Sequence, residues 1–84
     1  MKSIYKYVIR GRHSTQFDMP LESKIVHADI QNGEFCIWAQ VDTSRSTERR
    51  YFTVVGTGWE LEDDMIHRGT VLEGSFVWHI MEIV

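Results

Sequence analysis

Hydrophobic positions along this chain recur at every second residue in short runs, and turn residues cut the runs apart. A period of two is the mark of strands that bury one face. Asn32-Gly33 sets the clearest boundary, because a two-residue type I′ turn needs positive φ at both central positions and these residues tolerate it. Lys24–Gln31 and Phe35–Val41, on either side, are therefore predicted as neighbouring antiparallel strands.

Further strands are predicted over Ser3–Arg10, ended by Gly11, over Ser14–Met19, and over Glu48–Gly56. Pro20 closes the second of these, since proline cannot donate to a ladder and holds the residue before it extended. Leu21-Glu22-Ser23 reads as a turn and Asp42–Thr47 as a polar loop. Gly69–Leu72 and Phe76–Val84 form a last hairpin around Glu73-Gly74. In its second strand Phe76, Trp78 and Ile80 share one face and Val77, His79, Met81 and Ile83 the other. Both faces are apolar, which marks either a central strand or one whose second face meets a partner chain. Thr57–Arg68 lacks the alternation and is predicted as the longest irregular stretch, with room for one helical turn near Glu60–Met65. The sum is an all-β chain of six to seven strands, a small antiparallel meander forming a sandwich or partly open barrel, in a single domain over residues 1–84.

A chain of 84 residues buries only about 60–65% of the surface its unfolded form exposes, so its ten aromatic residues must work hard in the core. Assembly is a common supplement in domains of this size, and a homo-oligomer is expected. A net charge of −3 argues against general nucleic-acid binding. One cysteine, Cys36, permits no intramolecular disulfide; no apolar stretch follows Met1-Lys2-Ser3, and none approaches a membrane span. A cytoplasmic protein without a membrane partner is expected.

The candidate chemistry is thin. His13, His27, His67 and His79 lack the close spacing of a metal site, and Cys36 has no cysteine partner, so no metal is expected. His27 and His79 are the two histidines that strands can bring together. His79 is otherwise expected to bond a backbone carbonyl, and His13 and His67 to lie in loops. Cys36 reads as a buried, inert thiol. Glu60, Glu62, Asp63 and Asp64 read as a solvated loop, and Gly56-Thr57-Gly58 as a turn that also offers backbone N–H groups to a ligand. No nucleophile with its base and no cofactor motif is present, so the protein is expected not to be an enzyme. Arg49, Arg50, Tyr51, Thr57, Trp59, Trp38, Trp78 and His79 form the one constellation with binding chemistry: arginine forks hold phosphates and aromatic planes stack on bases. Arg49 and Arg50 point to opposite faces of their strand, and Trp38 and Trp78 suit a core as well as a site. The predicted ligand-binding set is Arg50, Thr57, Gly58, Trp59, Trp78 and His79.

Ile4-Tyr5-Lys6-Tyr7, Met19-Pro20, Gln31-Asn32-Gly33, Cys36-Ile37-Trp38-Ala39, Arg49-Arg50-Tyr51-Phe52, Gly56-Thr57-Gly58 and Phe76-Val77-Trp78-His79 follow one another along nearly the whole chain. In that order and spacing they resemble a family of short proteins from tailed phages and prophages that carries only an unknown-function label. The resemblance implies a small phage-encoded accessory protein in the host cytoplasm and brings no catalytic residues with it. The function expected is non-enzymatic binding, directed against host defence: sequestration of a small nucleotide-type ligand by a homo-oligomer. The alternative is an inhibitor that binds a host defence, transcription or replication protein.

Overall fold

The computed structural model describes residues 1–10 and 14–84. Gly11, the expected end of the first strand, and His13 lie outside the described residues. Among the described residues seven strands follow in order: β1 (Lys2–Ile9), β2 (Thr15–Pro20), β3 (Lys24–Gln31), β4 (Glu34–Asp42), β5 (Thr47–Gly56), β6 (Met65–Glu73) and β7 (Phe76–Ile83). They form a three-stranded sheet, β1-β4-β3, and a four-stranded sheet, β2-β5-β7-β6, antiparallel throughout. The all-β sandwich expected from the alternation is what the chain builds; it is not a closed barrel.

Local turn chemistry sets two hairpins. Asn32 and Gly33 take φ of 54° and 77° between β3 and β4, and Gly74 takes 57° between β6 and β7. The other pairings depart from a meander: β1 joins β4, β2 joins β5, and β5 joins β7. Alternation says which face a strand buries and leaves open which edge it joins. The irregular stretch is also shorter than expected. β6 starts at Met65 and takes in Ile66, His67 and Arg68, and no helical turn forms over Glu60–Met65. A register shift between His67 and Gly69 breaks the alternation there, as an extra residue in one strand must. A matching shift lies between Ile25 and His27 in β3.

The two inner faces meet in a core of Ile9, Met19, Ile37, Ala39, Val41, Phe52, Val71 and Ile80, with Tyr7, Phe17, Phe35 and Trp78 packed at its margin. The register shifts coincide where β3 and β6 draw together, and a Cβ on Gly69 would stand 2.6 Å from Ala28 Cβ. Near the chain start, Asp42 Oδ1 accepts hydrogen bonds from the Ser44 hydroxyl (2.6 Å), the Ser44 amide (3.1 Å) and the terminal ammonium (3.2 Å). The Ser44 bonds first, then the ammonium, hold its carboxyl down to about 2.

The connection from β5 to β6 positions the site. Both strands run antiparallel to β7, which lies between them. β5 ends with Gly56 opposite Trp78, whereas β6 begins with Met65 opposite Ile83. Residues 57–64 must therefore travel back along the length of β7. The Thr57 amide donates to Val77 O (3.2 Å) at one end, and Asp64 O accepts from the Val84 amide (2.8 Å) at the other. In between, Trp59 and Leu61 join Val55, His79 and Met81 around one hollow. The two apolar faces of β7 are thus explained within the chain: the strand is central, and its own crossing loop covers the second face.

Candidate functional site

Thr57, Gly58, Trp59, Trp78 and His79 come together where this loop leaves β5. Gly58 takes φ of 89°, and the Trp59 amide donates to Gly56 O (3.1 Å). That turn folds the indole back onto Gly56, where a Cβ would lie 2.8 Å from Trp59 Cε2. The ring stands edge-on to Trp78, centroids 5.8 Å apart at 88°, yet Trp59 remains 59% exposed. Phe76 stacks on Trp78 (5.8 Å, 24°), Phe35 meets it edge-on (5.9 Å), and Trp78 Nε1–H donates to Glu73 (3.1 Å). A hollow of about 460 Å³ lies among Gly56, Thr57, Trp59, Phe76 and Trp78. A second, of about 250 Å³, shares Gly56, Thr57 and Trp59 and is completed by Leu61, His67, His79 and Met81.

Gly56 is the slot on which the exposed indole rests, so Gly56→Ala should push the ring aside. Because the far end of an exposed side chain can give way, thermal stability should change by less than about 1 kcal/mol. Tryptophan emission should nonetheless shift; an unchanged spectrum would show that the ring does not depend on this slot.

The polar side of the site is a network. The Thr57 hydroxyl donates to Val77 O (3.0 Å), which leaves its oxygen to accept from His79 Nε2–H (2.9 Å). That assignment puts the proton on Nε2 and a lone pair on Nδ1. His79 Nδ1 lies 3.3 Å from His67 Nε2 and 3.3 Å from Thr70 Oγ1, and His67 Nε2 is 3.1 Å from Thr70 Oγ1. Three expectations change here. His79 bonds a hydroxyl rather than a backbone carbonyl. His67 is a strand residue. The histidine that meets His79 is His67, while His27 tilts against Trp38 (5.5 Å) on the other sheet.

Arg50 does not join the site. Its guanidinium forks onto Glu82 (2.6 and 2.7 Å), donates to Ser23 O, and is 11% exposed. Its strand position turns it into the sandwich, where Glu82 of β7 also binds Arg68 Nε (2.9 Å). Burial alone would push the Glu82 carboxyl up, but the hydrogen bonds and charge of Arg50, and then of Arg68, hold it below the ordinary glutamate value. Arg49, on the opposite face, pairs with Asp18 at the surface (3.4 Å). Among the described residues no lysine or arginine lines either hollow.

Trp78 serves both core and site, whereas Trp38 belongs to neither and sits half-buried beside His27. Cys36 is buried, and Glu60, Glu62, Asp63 and Asp64 are exposed. Among the described residues no group of three or more histidine, cysteine or acidic side chains is placed to hold a metal, and no helix is long and apolar enough to cross a membrane. The sequence reading missed Phe76, Leu61 and His67 as site residues. Phe76 had a signal in the face it shares with Trp78; His67 had none, because the register shift hides its strand.

No curated protein and no solved structure matches the chain. A family model does, over residues 1–84, and its description reads "Domain of unknown function (DUF7352)".

Proposed function

We propose that this chain, which belongs to the DUF7352 family over its whole length, is a non-enzymatic binding module that takes the flat part of a small nucleotide-type ligand against Trp59. The observation that carries the reading is an indole held out of the core by its own turn, more than half exposed, with a hollow that Trp78 and Phe76 also line. Stacking of a base on such a ring contributes about 1–3 kcal/mol. With no arginine or lysine among the described residues of either hollow, a phosphate on the ligand needs charge from elsewhere. A second copy of the chain closing over the open hollow would supply it, so the homo-oligomer is part of the proposal. In the phage setting that the sequence resemblance implies, such a protein acts by withdrawing a host signal.

A second reading has its own support. Leu72 (71% exposed), Phe76 (61%), Trp59 (59%) and Leu61 (48%) are exposed on the β6–β7 hairpin and the crossing loop. Aromatic anchors with apolar neighbours are typical of protein interfaces, which suits an inhibitor docking on a host protein.

Native mass spectrometry of the protein from expressing cells, followed by titration of tryptophan emission with mono- and dinucleotides, separates the two. A small adduct lost on denaturation, with Trp59→Ala weakening binding at least about tenfold while Tm holds, supports sequestration. A bare chain and a flat titration sink it and move the weight to a protein target. Arg50→Ala should act differently from Trp59→Ala, lowering Tm sharply whether or not ligand is present.

A further inference from the structure

We propose that His67, His79 and Thr70 form a binding site for one divalent transition-metal ion of the Zn²⁺ or Ni²⁺ class on the outer face of the β2-β5-β7-β6 sheet. The separation of the imidazole nitrogens carries the inference. His67 Nε2 and His79 Nδ1 are 3.3 Å apart, and two Zn–N bonds of about 2.0–2.1 Å at a tetrahedral angle put their nitrogens about 3.3–3.4 Å apart. Thr70 Oγ1 completes a nearly equilateral triangle, 3.1 Å from His67 Nε2 and 3.3 Å from His79 Nδ1. A point just off the centre of that triangle is about 2 Å from all three atoms, a normal bond length to such a metal.

The lone pair of His79 is placed to match, and His67, whose Nε2–H donates to it in the free protein, ligates in its Nδ1–H tautomer with the metal replacing that hydrogen bond. Val77 O takes the Thr57 hydroxyl proton, so Thr57 Oγ1 can only accept, and it accepts from His79 Nε2–H. The tautomer left behind has a lone pair on Nδ1, the atom that lies 3.3 Å from both His67 Nε2 and Thr70 Oγ1. A histidine that ligates through one nitrogen while its other N–H is held by a fixed acceptor is the usual outer arrangement of metal sites. The strands supply the frame: Thr70 and His79 are directly opposite in the β6–β7 ladder, and the register shift after His67 carries that ring back to them. His67 is exposed, and the neighbouring hollow leaves room for water to complete the coordination. Imidazole nitrogen with oxygen suits Zn²⁺, Ni²⁺ and Cu²⁺ rather than Mg²⁺ or Ca²⁺. The inference is independent of what stacks on Trp59.

The test is isothermal titration of the full chain with ZnCl₂ and with NiCl₂, using MgCl₂ as the control. One ion per chain is expected for zinc and nickel and none for magnesium. His67→Ala and His79→Ala should each weaken binding by at least about tenfold. Thr57→Val, which touches no metal but frees the His79 tautomer, should weaken it by about tenfold. The double substitution His13→Ala with His27→Ala should leave affinity within about twofold. Circular dichroism of each variant confirms the fold, and nitrogen-15 spectra of the imidazoles should show His79 protonated at Nε2 before metal is added. Absence of one-to-one binding, or binding that survives His67→Ala and His79→Ala, overturns the proposal.

Discussion

Glu82→Gln is expected to lower the stability of the fold by about 3–5 kcal/mol, the range for removing one partner of a buried ion pair. Glu82 is 4% exposed and, among the described residues, is the one acid that Arg50 and Arg68 are bonded to. An amide in its place turns an N–H group towards one guanidinium and leaves positive charge inside the sandwich without compensation. Urea unfolding at pH 7 reads the loss directly; a loss under about 1 kcal/mol would mean that water reaches the arginines after all. The pH dependence has a definite sign. The carboxyl is held below its ordinary value in the folded chain, so the unfolded state takes up the proton first. Its contribution is complete above the ordinary glutamate range, near pH 4.3, and fades as pH falls from there through the lower native value. Stability of the parent should therefore drop steeply on that limb, and Glu82→Gln should flatten it. Replacing all three groups with apolar residues, Arg50→Met with Glu82→Leu and Arg68→Met, should recover most of the loss, since well-packed apolar side chains often match a buried charge cluster.

The same cluster shows where sequence reasoning stops. Every strand left a local mark, in alternation at Phe76–Ile83 and in turn residues at Asn32-Gly33 and Gly74, and those marks carry the fold class and two hairpins. Arg50 left a misleading one. An arginine beside aromatic residues reads as a phosphate ligand when its partner is invisible, and Glu82 is 32 residues away. The pairings that bring them together are non-local, and nothing in either segment encodes them. The aromatic half of the site was legible because Thr57, Gly58 and Trp59 form one turn, and Trp78 pairs with Gly56, the residue before it. The histidine half was not, because an inserted residue before Gly69 reverses the face on which His67 would otherwise be counted. What could be read was contiguous or periodic; what could not depended on register.

Gly69→Ala should cost about 2–3 kcal/mol, although alanine suits a strand better than glycine does. The reason is the 2.6 Å that would separate the new Cβ from Ala28 Cβ, a distance closed by a neighbouring strand and not by a flexible side-chain end. Ala28→Gly alone removes only a methyl at the core margin and should cost about 1 kcal/mol. The two together should return to within about 1 kcal/mol of the parent, because the methyl supplied from one strand replaces the one removed from the other. A double-mutant cycle by thermal or urea unfolding measures that coupling; purely additive losses would mean that β3 and β6 move apart freely. The site should report the strain as well. Gly69 lies between Arg68, bonded to Glu82, and Thr70, which touches both histidines. Forcing β6 away from β3 therefore opens the triangle of His67, Thr70 and His79, and Gly69→Ala should weaken nickel binding where the double variant restores it. The β6–β7 ladder sets the register of those three residues, and the nickel affinity of Gly69→Ala measures how far the close approach of β3 to β6 supports it.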